Sequence, residues 1–150
     1  MKAFQDCYPD DYSHCYGCGR LNEHGLKIKS YWEGEESVCR VMPREYYSGG
    51  KKDILYGGLI ASLMDCHGAG TAAAAKAREM GINIKPGSMP RFVTASLKVD
   101  YLAPTPLDTE LELKGRVKEI KGRKVTVGIT LAADGRLCAS GEVIMVEIKE

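Results

Sequence analysis

The sequence predicts an α+β fold in which one long central helix is wrapped by a twisted antiparallel β-sheet. One segment, residues 57–80, has the length and composition of a helix. Several shorter segments alternate apolar and polar residues, and those after the helix are separated by short turn signals. A sheet with one apolar face packs well on a single apolar helix. We therefore expect one domain over residues 1–150, with an irregular lead-in over about residues 1–25.

Two short strands are expected before the helix. Residues 26–32 alternate between apolar and polar side chains, which predicts the first strand. Gly34 favours a turn, and residues 38–42 predict the second strand. Residues 43–53 show no period and contain glycines and charged residues, so we expect a loop that leads into the helix.

The central helix is expected to begin at the pair Gly57-Gly58 and to end near Met80, because Gly81 suits the position just past a helix end. On a wheel of 3.6 residues per turn, one side forms an apolar stripe that should face the sheet: Leu59, Ile60, Leu63, Met64, His67, Gly70 and Ala74. Asp65 falls on the opposite side, among small and nearly uncharged neighbours: Ala61, Gly68, Ala69 and Ala72. We expect a partner subunit, or a ligand at a subunit boundary, to pack there.

Four strands should follow the helix. Residues 94–102 alternate with a period of two, and Pro104 ends that strand. The next strand surrounds Gly115, and Lys121-Gly122 predicts a hairpin turn after it. Asp134-Gly135 is a strong hairpin signal that predicts the connection to the last strand.

The composition excludes several classes of function. A hydrophobic fraction of 44% and a charged fraction of 27% are ordinary for a globular protein. A net charge of +1 gives no argument for a nucleic-acid partner or a membrane surface. The most apolar stretch, residues 57–75, contains an aspartate, a histidine and four glycines and makes a poor membrane span. Residues 1–20 carry no apolar export signal, so we expect a cytoplasmic protein whose six cysteines are reduced.

The carboxylate of Asp65 is the main catalytic candidate. It is the only formally charged group from Gly57 to Ala75, and an isolated carboxylate in an apolar setting is costly unless it is used or paired. Backbone N–H groups at a helix start hold developing negative charge, which makes Gly58 a candidate oxyanion donor. Together they suggest acyl transfer. The alternatives are an ion pair of Asp65 across an interface and a purely packing role for Gly58.

These features resemble the hotdog-fold acyl-CoA thioesterases, in particular their phenylacetate-pathway-like branch. The resemblance covers most of the chain and rests on the element order, on the glycine pair with an acid seven residues after it, and on three further segments. These are Cys15-Tyr16-Gly17-Cys18-Gly19 with Asn22 and Gly25-Leu26, residues 94–104, and Gly122-Arg123-Lys124. Members usually have His or Asn before the glycine pair, where this chain has Tyr56.

The resemblance implies hydrolysis of acyl-CoA to the free acid and coenzyme A by a homodimer or homotetramer. Asp65 would act as nucleophile or as general base, and the sequence leaves both open. The Gly58 N–H would hold the oxyanion. The expected substrate-binding residues are Tyr56, Gly57, Thr71, Arg123 and Lys124. Arg123 and Lys124 would bind the coenzyme A phosphates; the alternative is that they are solvated basic residues of a hairpin without a binding role. The alternative function is a non-catalytic acyl-CoA-binding module, such as a sensor or carrier.

Metals and cofactors are not expected. Cys15 and Cys18 form a single C-x2-C motif, whereas structural zinc sites commonly use two such pairs, so we expect free thiols. Cys66 follows Asp65, yet no base is spaced to activate its thiol. His67 lies on the apolar stripe and should be a core histidine. No nucleophile-elbow, phosphate-loop or dinucleotide motif is present.

Overall fold

The computed structural model describes residues 1–149 and shows one long helix, α1, packed on a six-stranded antiparallel sheet. The strands follow the order β1-β2-β4-β5-β6-β3 across the sheet. The elements are two short 3₁₀ helices at Phe4–Cys7 and Asp10–Tyr12, then β1 Ser30–Glu33, β2 Glu36–Val41, α1 Gly57–Glu79, β3 Arg91–Tyr101, β4 Leu111–Lys121, β5 Lys124–Ala133 and β6 Arg136–Ile148. This is the predicted order of two strands, one helix and four strands.

The predicted turns are confirmed by the backbone. Asp134 and Gly135 have φ angles of 51° and 77°, the double positive φ of a two-residue hairpin turn between β5 and β6. Gly81 has φ 71°, and the N–H of Ile82 donates to the Ala77 carbonyl at 2.8 Å. That bond spans the end of α1, which stops at Glu79, one residue before the predicted Met80.

The first strand is shorter than predicted. Residues 26–29 stay outside the sheet because their hydrogen bonds go to the N-terminal lead-in. The Leu26 N–H donates to the Tyr16 carbonyl at 2.8 Å, and the Ile28 N–H donates to the Gly17 carbonyl at 3.3 Å. Regular pairing with β2 therefore begins only at Ser30.

The small-residue side of α1 is covered only in part by the chain itself: Ala61, Asp65 and Ala69 stay partly exposed, so the expectation of a partner or ligand there stays a prediction. Gly68 faces the sheet, where an added Cβ would lie 2.4 Å from a methyl carbon of Val143. At Gly70, an added Cβ would lie 2.8 Å from the Gln5 side chain, so the N-terminal lead-in lies against the helix. Because sheet and lead-in cover most of α1, the half-exposed Asp65 lies on a narrow uncovered strip.

Strand β3 forms one edge of the sheet and leaves apolar side chains in solvent. Its one strand partner among residues 1–149 is β6. Its exposed side chains include Val93, Leu97 and Tyr101, which are between 38% and 56% accessible. A β-bulge between Thr94 and Ser96 interrupts the predicted regular alternation. Among residues 1–149, no helix is both long and apolar enough to cross a membrane.

Candidate active site

Asp65 lies on the wall of a cavity of about 390 Å³ between α1, the start of β3 and the N-terminal lead-in. The hydroxyl of Thr94 donates a hydrogen bond to Asp65 Oδ1 at 2.5 Å. Within residues 1–149, no lysine or arginine forms an ion pair with this carboxylate. The rest of the wall is largely aromatic or apolar: Tyr8, Tyr12, Phe92, Ala69, Ala73 and Pro90. The geometry thus places a carboxylate with one free oxygen beside an apolar cavity.

The start of α1 forms a second region of predicted site residues. The hydroxyl of Tyr101 donates to the Gly57 carbonyl at 2.8 Å, which ties the helix start to the end of β3. The ring of Tyr56 folds over Gly58, because an added Cβ on Gly58 would lie 2.5 Å from that ring. The side chain of the N-cap residue Tyr56 makes no capping hydrogen bond, whereas the Leu59 N–H donates to the Tyr56 carbonyl at 3.1 Å. Within residues 1–149, the N–H groups of Gly57 and Gly58 are therefore not capped by that side chain.

These two regions lie too far apart in one chain to act on one carbonyl group. Gly58 and Asp65 are separated by seven residues, which at about 1.5 Å per residue is about 10 Å along the helix axis. A nucleophile must approach the carbonyl carbon to about 3–3.5 Å, and an oxyanion donor must lie about 3 Å from its oxygen. Asp65 and Gly58 of one chain therefore cannot both contact the same carbonyl group.

Arg123 in the turn between β4 and β5 and Lys124, the first residue of β5, are both exposed, and neither lines the cavity. Lys124 lies opposite Val146 of the neighbouring strand β6. Val146 in turn lies opposite Val93 of β3, and Val93 lines the cavity. The turn therefore lies at the same end of the sheet as the cavity, two strands away. The Lys76 ammonium donates to the Gly122 carbonyl at 2.9 Å and fixes the turn against α1.

Thr71 is not available to a substrate, which corrects its assignment as a binding residue. It is fully buried, donates to the His67 carbonyl at 2.7 Å and shares a 2.6 Å hydrogen bond with Ser37.

The prediction of a core histidine is confirmed: His67 is fully buried, with Nδ1 2.8 Å from the Ser30 hydroxyl and Nε2 3.0 Å from the Ser37 hydroxyl. Burial lowers the pKa of His67 from 6.5 to about 4.

Three cysteines meet beside Asp65, an arrangement that the sequence did not predict. The sulfur atoms of Cys15, Cys18 and Cys66 all lie within 4.8 Å of one another and line the same cavity. The hydrogen bonds from the thiols of Cys18 and Cys66 hold the pKa of Cys15 far below its ordinary value, at about 2. The C-x2-C spacing predicted only the first two members, because Cys66 lies on α1 and reaches them through tertiary packing. Thr94 was likewise missed as the partner of Asp65.

Comparison with known proteins places the chain in a family. The family model of the thioesterase superfamily matches residues 52–139. A thioesterase superfamily protein from Shewanella loihica PV-4 is 46% identical, with 93% of this chain and 98% of that chain covered and a TM-score of 0.71. No curated protein matches the chain.

Two more distant structures share the fold. The PaaI protein from the E. coli phenylacetic acid degradation operon is 15% identical, with 83% of this chain and 81% of that chain covered and a TM-score of 0.66. A Streptococcus mutans UA159 protein solved with bound acetyl-CoA is also 15% identical, with 87% and 98% covered and a TM-score of 0.66. One helix on a six-stranded antiparallel sheet is the hotdog fold of these neighbours, as predicted. The family match and the 46% identical relative show that the chain belongs to the thioesterase superfamily.

Proposed function

We propose that this protein hydrolyses acyl-CoA thioesters to the free acid and coenzyme A. The observation that carries the proposal is the Asp65 carboxylate, bonded to Thr94 through one oxygen and facing an apolar cavity. Membership of the thioesterase superfamily supports the reaction class. The acetyl-CoA bound to the Streptococcus mutans neighbour shows that this fold can hold an acyl-CoA ligand.

The chemistry needs one oxygen of Asp65 to reach the thioester. As a nucleophile, that oxygen attacks the carbonyl carbon, the C–S bond breaks, coenzyme A leaves as its thiolate, and water then hydrolyses the mixed anhydride. As a general base, the same oxygen takes a proton from a water molecule that attacks the carbonyl carbon, after which the C–S bond breaks and coenzyme A leaves as its thiolate. The Thr94 hydroxyl orients the carboxylate in either route by binding its other oxygen.

A homodimer through β3 would complete the site. An antiparallel pair of β3 strands places the first half of one strand opposite the second half of the other. Thr94, beside Asp65, lies in the first half, and Tyr101, bonded to Gly57, ends the second half. The pairing would therefore bring Gly58 of the partner subunit toward Asp65. It would also cover the exposed edge and its apolar side chains. Two such dimers could associate into a tetramer.

The cavity and the basic turn indicate how the substrate would lie. A volume of about 390 Å³ falls in the range of small-molecule sites, and its aromatic lining suits an apolar or aryl acyl group. Arg123 and Lys124 are exposed cations at the same end of the sheet, where they would meet the coenzyme A phosphates. Tyr56 and Gly57 of the partner subunit would border the thioester.

The test is an assay of coenzyme A release across short, medium, long and aryl acyl-CoA substrates, with Asp65→Asn as the variant. Asparagine keeps the size of the side chain but is a poor nucleophile and base. We expect kcat to fall by a factor of about 100 or more while substrate binding changes little. The matched control is Asp108→Asn, which removes an exposed carboxylate in a loop and should behave as wild type.

Two results would reject the proposal. Tight binding of acyl-CoA without hydrolysis by the wild-type protein would favour the non-catalytic binding module. A folded Asp65→Asn variant with near wild-type kcat would make the aspartate structural and move the catalytic role elsewhere. Circular dichroism of each variant checks that a loss of activity is not a loss of fold.

A further inference from the structure

The three-cysteine cluster (Cys15, Cys18 and Cys66) has the composition and spacing of a metal site. Its three sulfur atoms lie within 4.8 Å of one another, and those of Cys15 and Cys66 are 3.7 Å apart. Zinc binds thiolates at about 2.3 Å in tetrahedral geometry, which places two coordinating sulfurs about 3.8 Å apart. The observed separation thus matches one edge of a zinc tetrahedron. It is much longer than the roughly 2 Å of a disulfide bond.

The loop that carries Cys15 and Cys18 is shaped around the third sulfur. An added Cβ at Gly17 would lie 2.3 Å from the Cys66 sulfur, so only glycine lets the loop approach α1 this closely. At Gly19, an added Cβ would lie 2.4 Å from the backbone nitrogen of Cys15. The Gly17 N–H also points at the Cys15 sulfur at 3.4 Å, a contact that favours a thiolate at that position. The ligand positions are therefore arranged before any metal arrives.

We propose that the three-cysteine cluster binds one zinc ion, with a water molecule from the neighbouring cavity as the fourth ligand. All three cysteines line that cavity, so the remaining coordination position opens toward it. Three protein ligands with one open position is a common arrangement for zinc. The metal would fasten the N-terminal lead-in to α1 directly beside Asp65. This revises the expectation of free thiols, which considered the C-x2-C motif without Cys66.

A redox pair explains the cluster less well. A disulfide uses two sulfurs and would leave the third without a role, whereas zinc uses all three. Soft thiolate ligands also select zinc over hard cations such as magnesium or calcium. Zinc coordination releases protons but needs no oxidant, so the site can form under reducing conditions.

The test measures metal directly and does not depend on any enzymatic activity, so its outcome is separate from that of the proposed function. The full chain is purified under reducing conditions from medium with zinc, and its zinc is counted by elemental analysis. The stripped protein is then titrated with Co²⁺, whose bonds to thiolates give an intense near-ultraviolet charge-transfer band. We expect about one zinc per chain and a cobalt band that saturates at one equivalent.

The variants are Cys15→Ser and Cys18→Ser, with Cys138→Ser as the control. Each of the first two should weaken zinc binding at least a hundredfold, because loss of a direct ligand costs more than the 10–100-fold typical of outer-shell changes. Cys15 is exposed, so its variant should fold even if Cys18→Ser does not. Cys138 is buried away from the cluster, where its thiol points to the Arg136 carbonyl at 3.4 Å and a serine hydroxyl can do the same.

Three results would overturn the inference. The first is a reduced wild-type protein without zinc and without a cobalt–thiolate band. The second is equal metal loss in the Cys138→Ser control. The third is a metal-free protein whose mass is lower by two hydrogens, which would show a disulfide within the cluster instead.

Discussion

Acidification should destabilise this protein through His67. The imidazole is fully buried between the hydroxyls of Ser30 and Ser37, with no carboxylate among its hydrogen-bond partners in residues 1–149. Burial disfavours the charged form, so the pKa of His67 falls to about 4 in the folded chain. In the unfolded chain it returns to the ordinary value of 6.5. Between these two values the unfolded state binds a proton that the folded state does not, and stability must fall as the pH falls.

The size of the effect follows from the two pKa values. At about 1.4 kcal/mol per pH unit, the interval from 6.5 to about 4 corresponds to about 3 kcal/mol in full. Between pH 7.5 and pH 5.0 the linkage relation gives a loss of about 2 kcal/mol from this one group. Above pH 6.5 the contribution is fully present, and below pH 4 no further loss comes from His67.

Urea unfolding at pH 7.5 and pH 5.0 measures this loss, at fixed protein concentration because an oligomer would add its own dependence. The single tryptophan, Trp32, packs against Phe4 with ring centroids 5.3 Å apart and reports the transition. His67→Gln removes the titrating group and should reduce the pH dependence by about 2 kcal/mol, whatever its cost in absolute stability. The matched control, His14→Gln, changes an exposed histidine and should keep the wild-type dependence. Equal pH dependence in the wild type and the His67 variant would refute the reasoning.

Three further substitutions test the packing, the dimer edge and the site. Gly17→Ala should lower stability by about 1–3 kcal/mol in thermal melts, since its Cβ would overlap a sulfur atom, whereas Gly50→Ala has open space and should cost little. Leu97→Glu places a charge in the middle of the exposed edge strand and should shift light scattering toward a monomer mass. Met42→Glu changes an exposed residue just after β2 and should leave the mass unchanged. A monomeric wild-type protein would refute the dimer. Thr94→Val should lower kcat about 10–100-fold by removing a hydrogen bond to a carboxylate, and Thr94→Ser should restore most of it; equal rates in all three proteins would show that this contact is not used.

The parts of the fold that local chemistry controls were predictable from the sequence. Gly81, Gly122 and the pair Asp134-Gly135 all adopt the positive φ angles that their turns require, so the helix end and both hairpins fall where expected. The predicted start of β1 was wrong because the backbone N–H groups of Leu26 and Ile28 bond to a loop ten or eleven residues earlier, which no local pattern indicates. The wheel misplaced Gly68 for a related reason: a helix covered on two sides has no single buried stripe.

In the candidate site, too, the features set by local sequence could be predicted and those set by tertiary contacts could not. Asp65 could be found because a lone charge in an uncharged helical segment stands out in the sequence. Its partner Thr94 could not, since it is one of several polar residues on a strand and only the packing of β3 on α1 selects it. The role of Cys66 could not be predicted either, because the two sulfurs that meet it come from the N-terminal loop, about 50 residues earlier in the chain.

Small residues on α1 explain why the cavity and the cysteine cluster lie side by side. Gly70 and Ala73 have no bulk to hold the N-terminal lead-in away, so Gln5 and Tyr8 approach the helix directly. The same close approach carries the Cys15–Cys18 loop onto Cys66, one residue after Asp65. The cavity wall is therefore built by three segments at once: the helix, the edge strand and the lead-in. A substitution that pushes the lead-in outward, such as Gly70→Leu, should both enlarge the cavity and move Cys15 and Cys18 away from Cys66. It should do so even though residue 70 belongs neither to the cavity wall nor to the cluster.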